Sequence, residues 1–136
     1  MADIAQHFAV LNKALDLRTQ RHQALASNIA NADTPGYKAR DFEFGAAMQN
    51  AMQGRSSAGG VNMALTSAGH QRGNGMSGPA ALQYRTETQS AVDGNTVDMD
   101  VERSNITDNA LQYQILTQLI NNKFQGLRSA LSSTQG

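Results

Sequence analysis

The chain has 136 residues, and its 11 Lys plus Arg balance 11 Asp plus Glu, so it lacks the cationic surplus from which generic nucleic-acid affinity arises. There is no Cys and no Trp, which excludes disulfides, thiolate metal sites and a cysteine nucleophile. No run approaches the ~18 apolar residues of a membrane span, and MADIAQHFAV shows neither the basic n-region nor the apolar h-region of a cleavable secretory signal.

The distribution of Gly and Pro divides the chain into three parts: 1–32, 33–98 and 99–136. Residues 2–31 hold neither, residues 33–98 hold ten of the twelve Gly and both Pro, and residues 99–133 hold Gly126 alone. The expected fold class is mainly α. Long N- and C-terminal helices pack as a coiled-coil-like hairpin and against neighbouring subunits, around a Gly-rich irregular middle with a small β-hairpin.

The first helix is marked by a stripe. Ile4, Phe8, Leu11, Leu15, Arg18, His22, Leu25 and Ile29 alternate steps of four and three, a heptad-like seam interrupted by two polar groups. The helix is predicted to end near Asn31, because Pro35 disfavours helix at Thr34 and Pro35-Gly36 suits the centre of a type II turn.

In the middle, residues 45–78 carry eight Gly among Ala, Ser, Asn, Gln and Met and are expected to form a loop ordered, if at all, by a partner. Residues 81–85 and 96–99 are expected to pair as a hairpin across the turn former Asp93-Gly94-Asn95.

The last helix carries the matching stripe: Ile106, Ala110, Tyr113, Leu116, Ile120, Phe124, Leu127 and Leu131, widened by Leu111, Ile115 and Leu119. Asp98 or Asp100 is its N-cap. Gly126, a weak helix former, is expected to mark a close backbone approach.

Chemical motifs are sparse. Residues 73–78 match G-x-G-x-x-G, but Pro79 follows where a helix N-terminus is required and no acidic ribose ligand is placed. Asp98, Asp100 and Glu102 resemble the opening of a calcium loop, yet Arg103 and Asn109 stand where Gly and Glu are needed. They fit better as a cap and first-turn carboxylates favoured by the helix dipole. His7, His22 and His70 share no metal-ligand spacing, and no G-x-S-x-G elbow exists. No catalytic set, cofactor site or metal site is expected. His22, lying on the seam, is a group that could titrate on assembly.

The stripes admit two arrangements: a monomeric hairpin, or packing against other subunits. One stripe per helix offsets only part of the entropy of ordering so long a backbone, and the middle offers little core to dock on. Assembly is therefore expected, and the interface residues are Ile4, Phe8, Leu11, Leu15, Leu25, Ile29, Tyr113, Leu116, Ile120, Phe124, Leu127 and Leu131.

Ser27-Asn28-Ile29-Ala30-Asn31 followed by Thr34-Pro35-Gly36-Tyr37 closely resembles the N-terminal signature of the flagellar axial proteins, the rod and hook family. Residues 93–100, 109–114 and 122–128 look like the proximal-rod version, and the short length fits. The resemblance covers residues 1–44 and 82–133, and is loose over 45–78. It implies a non-enzymatic structural subunit of the proximal rod that transmits torque from the membrane ring to the hook. It also implies terminal helices that order on polymerisation, and export through the type III apparatus with an uncleaved signal, into the periplasmic rod. The implied partners are copies of itself, other rod proteins, the adaptor and ring proteins at the rod base, and the export apparatus. Neither nucleic acid nor a membrane span is implied. In that role Asn28 and Asn31 cap the helix end or bridge to a neighbour, Pro35-Gly36 sets the exit angle, and Tyr37 brings a ring with a polar tip to an interface. The alternatives are another rod subunit of the family, or a secreted helical adaptor or chaperone.

Overall fold

The computed structural model describes residues 2–53, 81–85 and 92–133. Five elements follow in order: α1 (Ala2–Ala30), β1 (Arg40–Asp41), α2 (Phe44–Met52), β2 (Gln83–Tyr84) and α3 (Met99–Ser133). The expected class holds: two long terminal helices pack together, with a two-stranded antiparallel sheet beside them. The Gly73–Gly78 run and His70 lie outside the described residues.

The helices run antiparallel. Asn28 meets Glu102, Asn109 donates to the Arg18 carbonyl, and the rings of Phe8 and Phe124 stand 4.7 Å apart. At ~1.5 Å per residue, α1 is about 44 Å long and α3 about 52 Å.

Two features depart from expectation. Residues 44–52 form a helix where a loop was expected from residue 45 onward. Phe44, Ala47, Met48 and Ala51 fall at helical spacing and turn one face inward. There Leu17, Phe42, Ala47 and Ala51 form the buried apolar cluster, with Phe44 and Met48 packed against it. Leu17 is completely buried yet lies off the predicted seam. The helix starts at Glu43, whose carboxylate accepts from the Gly45 and Ala46 amides. At its end Lys13 Nζ donates to the Ala51 carbonyl at 2.7 Å.

The sheet also differs. The strand at 83–84 pairs with residues 40–41, in the register Arg40 with Tyr84 and Asp41 with Gln83, and not with residues 96–99. Thr96 instead bonds to the segment after α1, at Tyr37 and Ala39, and Met99 already begins α3. Across the pair the Arg40 guanidinium lies 5.4 Å from the Tyr84 ring. Gly126 shows no close approach within the chain, since a Cβ there would meet nothing within 4 Å.

Candidate assembly site and its polar joint

The turn after α1 has the predicted form. Gly36 has φ +72° and the Tyr37 amide donates to the Thr34 carbonyl at 3.3 Å, which places Pro35 and Gly36 at the two central positions of a type II turn. Asn31 Nδ2 returns to the Ser27 carbonyl at 2.8 Å, and its Oδ1 accepts from Thr34 Oγ1 at 3.2 Å. Thus Asn31 caps its own helix.

Asn28 is fully buried and works across the fold. Its Nδ2 donates to the Arg40 carbonyl at 2.8 Å and to Glu102 Oε2 at 3.2 Å. Its Oδ1 accepts from the Arg40 amide at 3.0 Å and from the Tyr37 hydroxyl at 3.4 Å. Tyr37 in turn stands 3.2 Å from Ser27 Oγ. The amide thereby holds β1 against the helical pair.

A charge relay extends from there. Arg21 grips Asp41 with two bonds of 3.0 Å, a bidentate geometry. Arg85 bridges Asp41 Oδ2, at 3.1 Å, to Glu102 Oε1. Two cations and two carboxylates balance, which is the condition for burying them. Burial by itself would raise the Asp41 carboxyl. The Arg21 hydrogen bonds, the Phe42 amide and Arg85 together hold it below its ordinary value. The Asp41 hydrogen bond correspondingly raises Arg21. Glu102 is therefore no exposed first-turn carboxylate, as its position predicts, but an interior ion fully out of solvent. Asp98 is the N-cap of α3, accepting from the Asp100 and Val101 amides at 3.0 and 3.3 Å.

Arg18, a polar break in the predicted seam, is buried with its guanidinium 3.7 Å from the Phe44 ring centre. Burial and the neighbouring Arg21 lower it. Among the described residues its Nε and Asn109 Oδ1 have no hydrogen-bond partner.

Of the residues expected at an assembly interface, Leu25 is completely buried inside the chain. Phe8, Leu11, Leu15, Ile29, Leu116, Ile120 and Leu127 are half-buried, and Ile4, Tyr113, Phe124 and Leu131 are exposed. His22 is exposed on α1. In the motif, Asn28 is interior, Asn31, Ile29 and Tyr37 are half-buried, and Ser27, Thr34, Pro35 and Gly36 are exposed. Leu111, Ile115 and Leu119 form a second row, 55%, 58% and 42% exposed. Sequence reasoning missed Arg21, Asp41, Arg85 and Asn95. The last was read only as part of the turn former Asp93-Gly94-Asn95 and of the family likeness of residues 93–100. Among the described residues no group of His, Asp and Glu could hold a metal ion, and no helix is long and apolar enough to cross a membrane.

A pair of long antiparallel helices, with apolar rows left in solvent, defines a mainly helical protein with open apolar faces. The family model described as flagella basal body rod protein matches residues 9–38, most of α1 together with the turn. The flagellar basal body rod protein FlgB of Salmonella typhimurium is 46% identical over 121 residues, 88% of each chain. That of Escherichia coli is 46% identical over 123 residues, 89% of each, and that of Aeromonas hydrophila 41% over 129 residues, 94% of each. The chain belongs to the family of the flagellar basal body rod protein FlgB.

Proposed function

We propose that this chain, a structural subunit of the flagellar basal body rod, polymerises into the proximal rod through faces of α1 and α3 that its own fold leaves in solvent. The observation that carries this reading is the row Leu111, Ile115 and Leu119, at i, i+4 and i+8 on α3 and each more than 40% exposed. Water does not favour such a row, and a contiguous apolar surface of this kind is the mark of an interface. The seam residues Ile4, Phe8, Leu11, Leu15, Ile29, Tyr113, Leu116, Ile120, Phe124, Leu127 and Leu131 supply further apolar contact area on the two helices. The role is mechanical and not enzymatic: packed helices pass torque from the membrane ring toward the hook. Copies of the same chain, other rod proteins and the adaptor and ring proteins at the rod base are the partners. The subunit reaches the periplasmic rod through the type III export apparatus with its N-terminal signal uncleaved.

An in-frame deletion in the native bacterium, followed by electron microscopy of isolated basal bodies, tests the reading. The expected result is rings that remain in the membrane without a rod. Complete basal bodies with normal swimming would overturn it and favour a secreted helical adaptor that forms a discrete one-to-one complex.

A further inference from the structure

The segment that leaves α1 and the segment that enters α3 share one set of hydrogen bonds. Asn95 is 4% exposed. Its Nδ2 faces the carbonyls of Asn31, Ala32 and Thr34 at 3.0, 2.8 and 2.9 Å. They lie in the turn that follows α1, where the Asn31 and Thr34 carbonyls also accept from the Thr34 and Tyr37 amides at 3.1 and 3.3 Å, so Asn95 adds a second bond to each. The Asn95 Oδ1 accepts from the Val97 amide at 2.8 Å, and the Asn95 amide donates to Asp93 Oδ1 at 3.1 Å. Three residues on, Asp98 caps α3. Between these points the two segments are stitched directly. The Gly36 amide donates to the Asp93 carbonyl at 2.9 Å and the Thr96 amide to the Tyr37 carbonyl at 3.0 Å. The Ala39 amide donates to Thr96 Oγ1 at 2.8 Å. Gly94, at φ +74°, lies against Gly36: a Cβ on it would stand 3.7 Å from the Gly36 Cα.

We infer that residues 93–98 are a conformational clasp, closed by Asn95, through which the last turn of α1 and the first turn of α3 open and close as one unit. The physical reason is that one side chain, Asn95, bonds the turn after α1 through its Nδ2 and the segment that leads into α3 through its Oδ1. Removing the Asn95 side chain takes one bond from each of three carbonyls in the turn after α1 and also frees the path that presents Asp98 to α3. The buried Asn28–Glu102 bond, one turn further in on each helix, carries the coupling onward. Coupling between two sites is reciprocal, so disturbing the α3 cap must loosen the end of α1. A displacement imposed on one helix end is thereby shared with the other. This inference concerns the single chain and does not depend on the assembly reading.

Amide hydrogen exchange on the full-length chain tests it. In N95A, amides at 30–34 and at 100–105 are expected to exchange faster together, each by about tenfold, the loss that one unmade buried hydrogen bond brings. Amides of α2 should keep their rates. In D98A the amides at 30–34 are expected to speed up along with those of α3. Effects confined to α1 in N95A and to α3 in D98A would mean two independent caps and would overturn the clasp. Should N95A lose its helical circular dichroism, T96V serves in its place, since it removes only the acceptor of the Ala39 amide. Faster exchange at both helix ends supports the clasp, and a change confined to residues 36–41 overturns it.

Discussion

Asn28 uses both amide hydrogens and both lone-pair positions of its side chain within the protein. Alanine there leaves the Arg40 amide and carbonyl and one Glu102 oxygen short of a partner in a dry site. The expected cost of N28A is about 2–4 kcal/mol, taking ~1–3 for each buried group left unpaired with partial relaxation; a denaturant titration followed by circular dichroism measures it. Asn31 lies three residues on and only half-buried, with bonds inside its own turn, so N31A should cost less than half as much. Gly36 acts by backbone alone. A Cβ there would touch nothing within 4 Å, yet φ is +72°, where a β-branched residue is strained by roughly 1–2 kcal/mol or more. G36V is therefore expected to impair swimming in soft agar, while G36N, which tolerates positive φ, retains most of it. Equal loss in both would point to sterics and not to the turn.

At the scale of elements, the sheet is fastened to the helices by charge. Burial opposes the ionised Asp41 carboxyl, but its Arg21, Phe42 and Arg85 partners outweigh that and depress it. A depressed carboxyl contributes stability that is complete above its unfolded value of about 3.9 and is lost as pH falls through the lower folded value. Stability should accordingly drop steeply from just below pH ~4 downward. D41N should be less stable than the parent at neutral pH and should lack that part of the acid slope. Equilibrium unfolding at a series of pH values checks both; an unchanged slope in D41N would remove Asp41 from the relay. The second helix was legible in principle. Phe44, Ala47, Met48 and Ala51 carry helical spacing, but Gly45 and the Gly-rich run beyond masked it. Glu43 is an unusual cap residue that names no helix start by type. The strand pairing was not legible. Two-residue strands have no period, and their partner is chosen by where Arg21, Asp41 and Arg85 can meet.

For the whole molecule, burial is graded along the helical pair. Fully buried positions cluster toward the turn: Leu17, Leu25, Asn28, Glu102 and Asn109. Among the described residues none before Ala14 in α1 and none after Asn109 in α3 is buried. The half far from the turn therefore keeps its apolar groups available to neighbours. I115D, placed at a 58% exposed site, should leave the helical circular dichroism and the unfolding midpoint nearly unchanged, because surface changes away from packed sites usually stay within about 0.5 kcal/mol. Electron microscopy should nonetheless find basal bodies without rods. Normal rods in that strain would show that the Leu111–Leu119 row faces solvent in the assembly.

The amino-acid sequence by itself determined the helical class, the two long terminal helices, the turn at Pro35-Gly36, a cap at Asp98 or Asp100 and the family. Each of these rests on neighbours in the chain: the spacing of apolar residues, the φ limits of Pro and Gly, and a compact motif. Tertiary structure alone decided that Leu17 is fully buried, that Glu102 is buried in an ion pair with Arg85 and that Asn95 binds the carbonyls of the turn after α1. It also decided that the strand at 83–84 joins residues 40–41. Hydrogen bonds among Asn, Asp, Glu and Arg have no period and reach across dozens of residues, so only the approach of the two helices could select them.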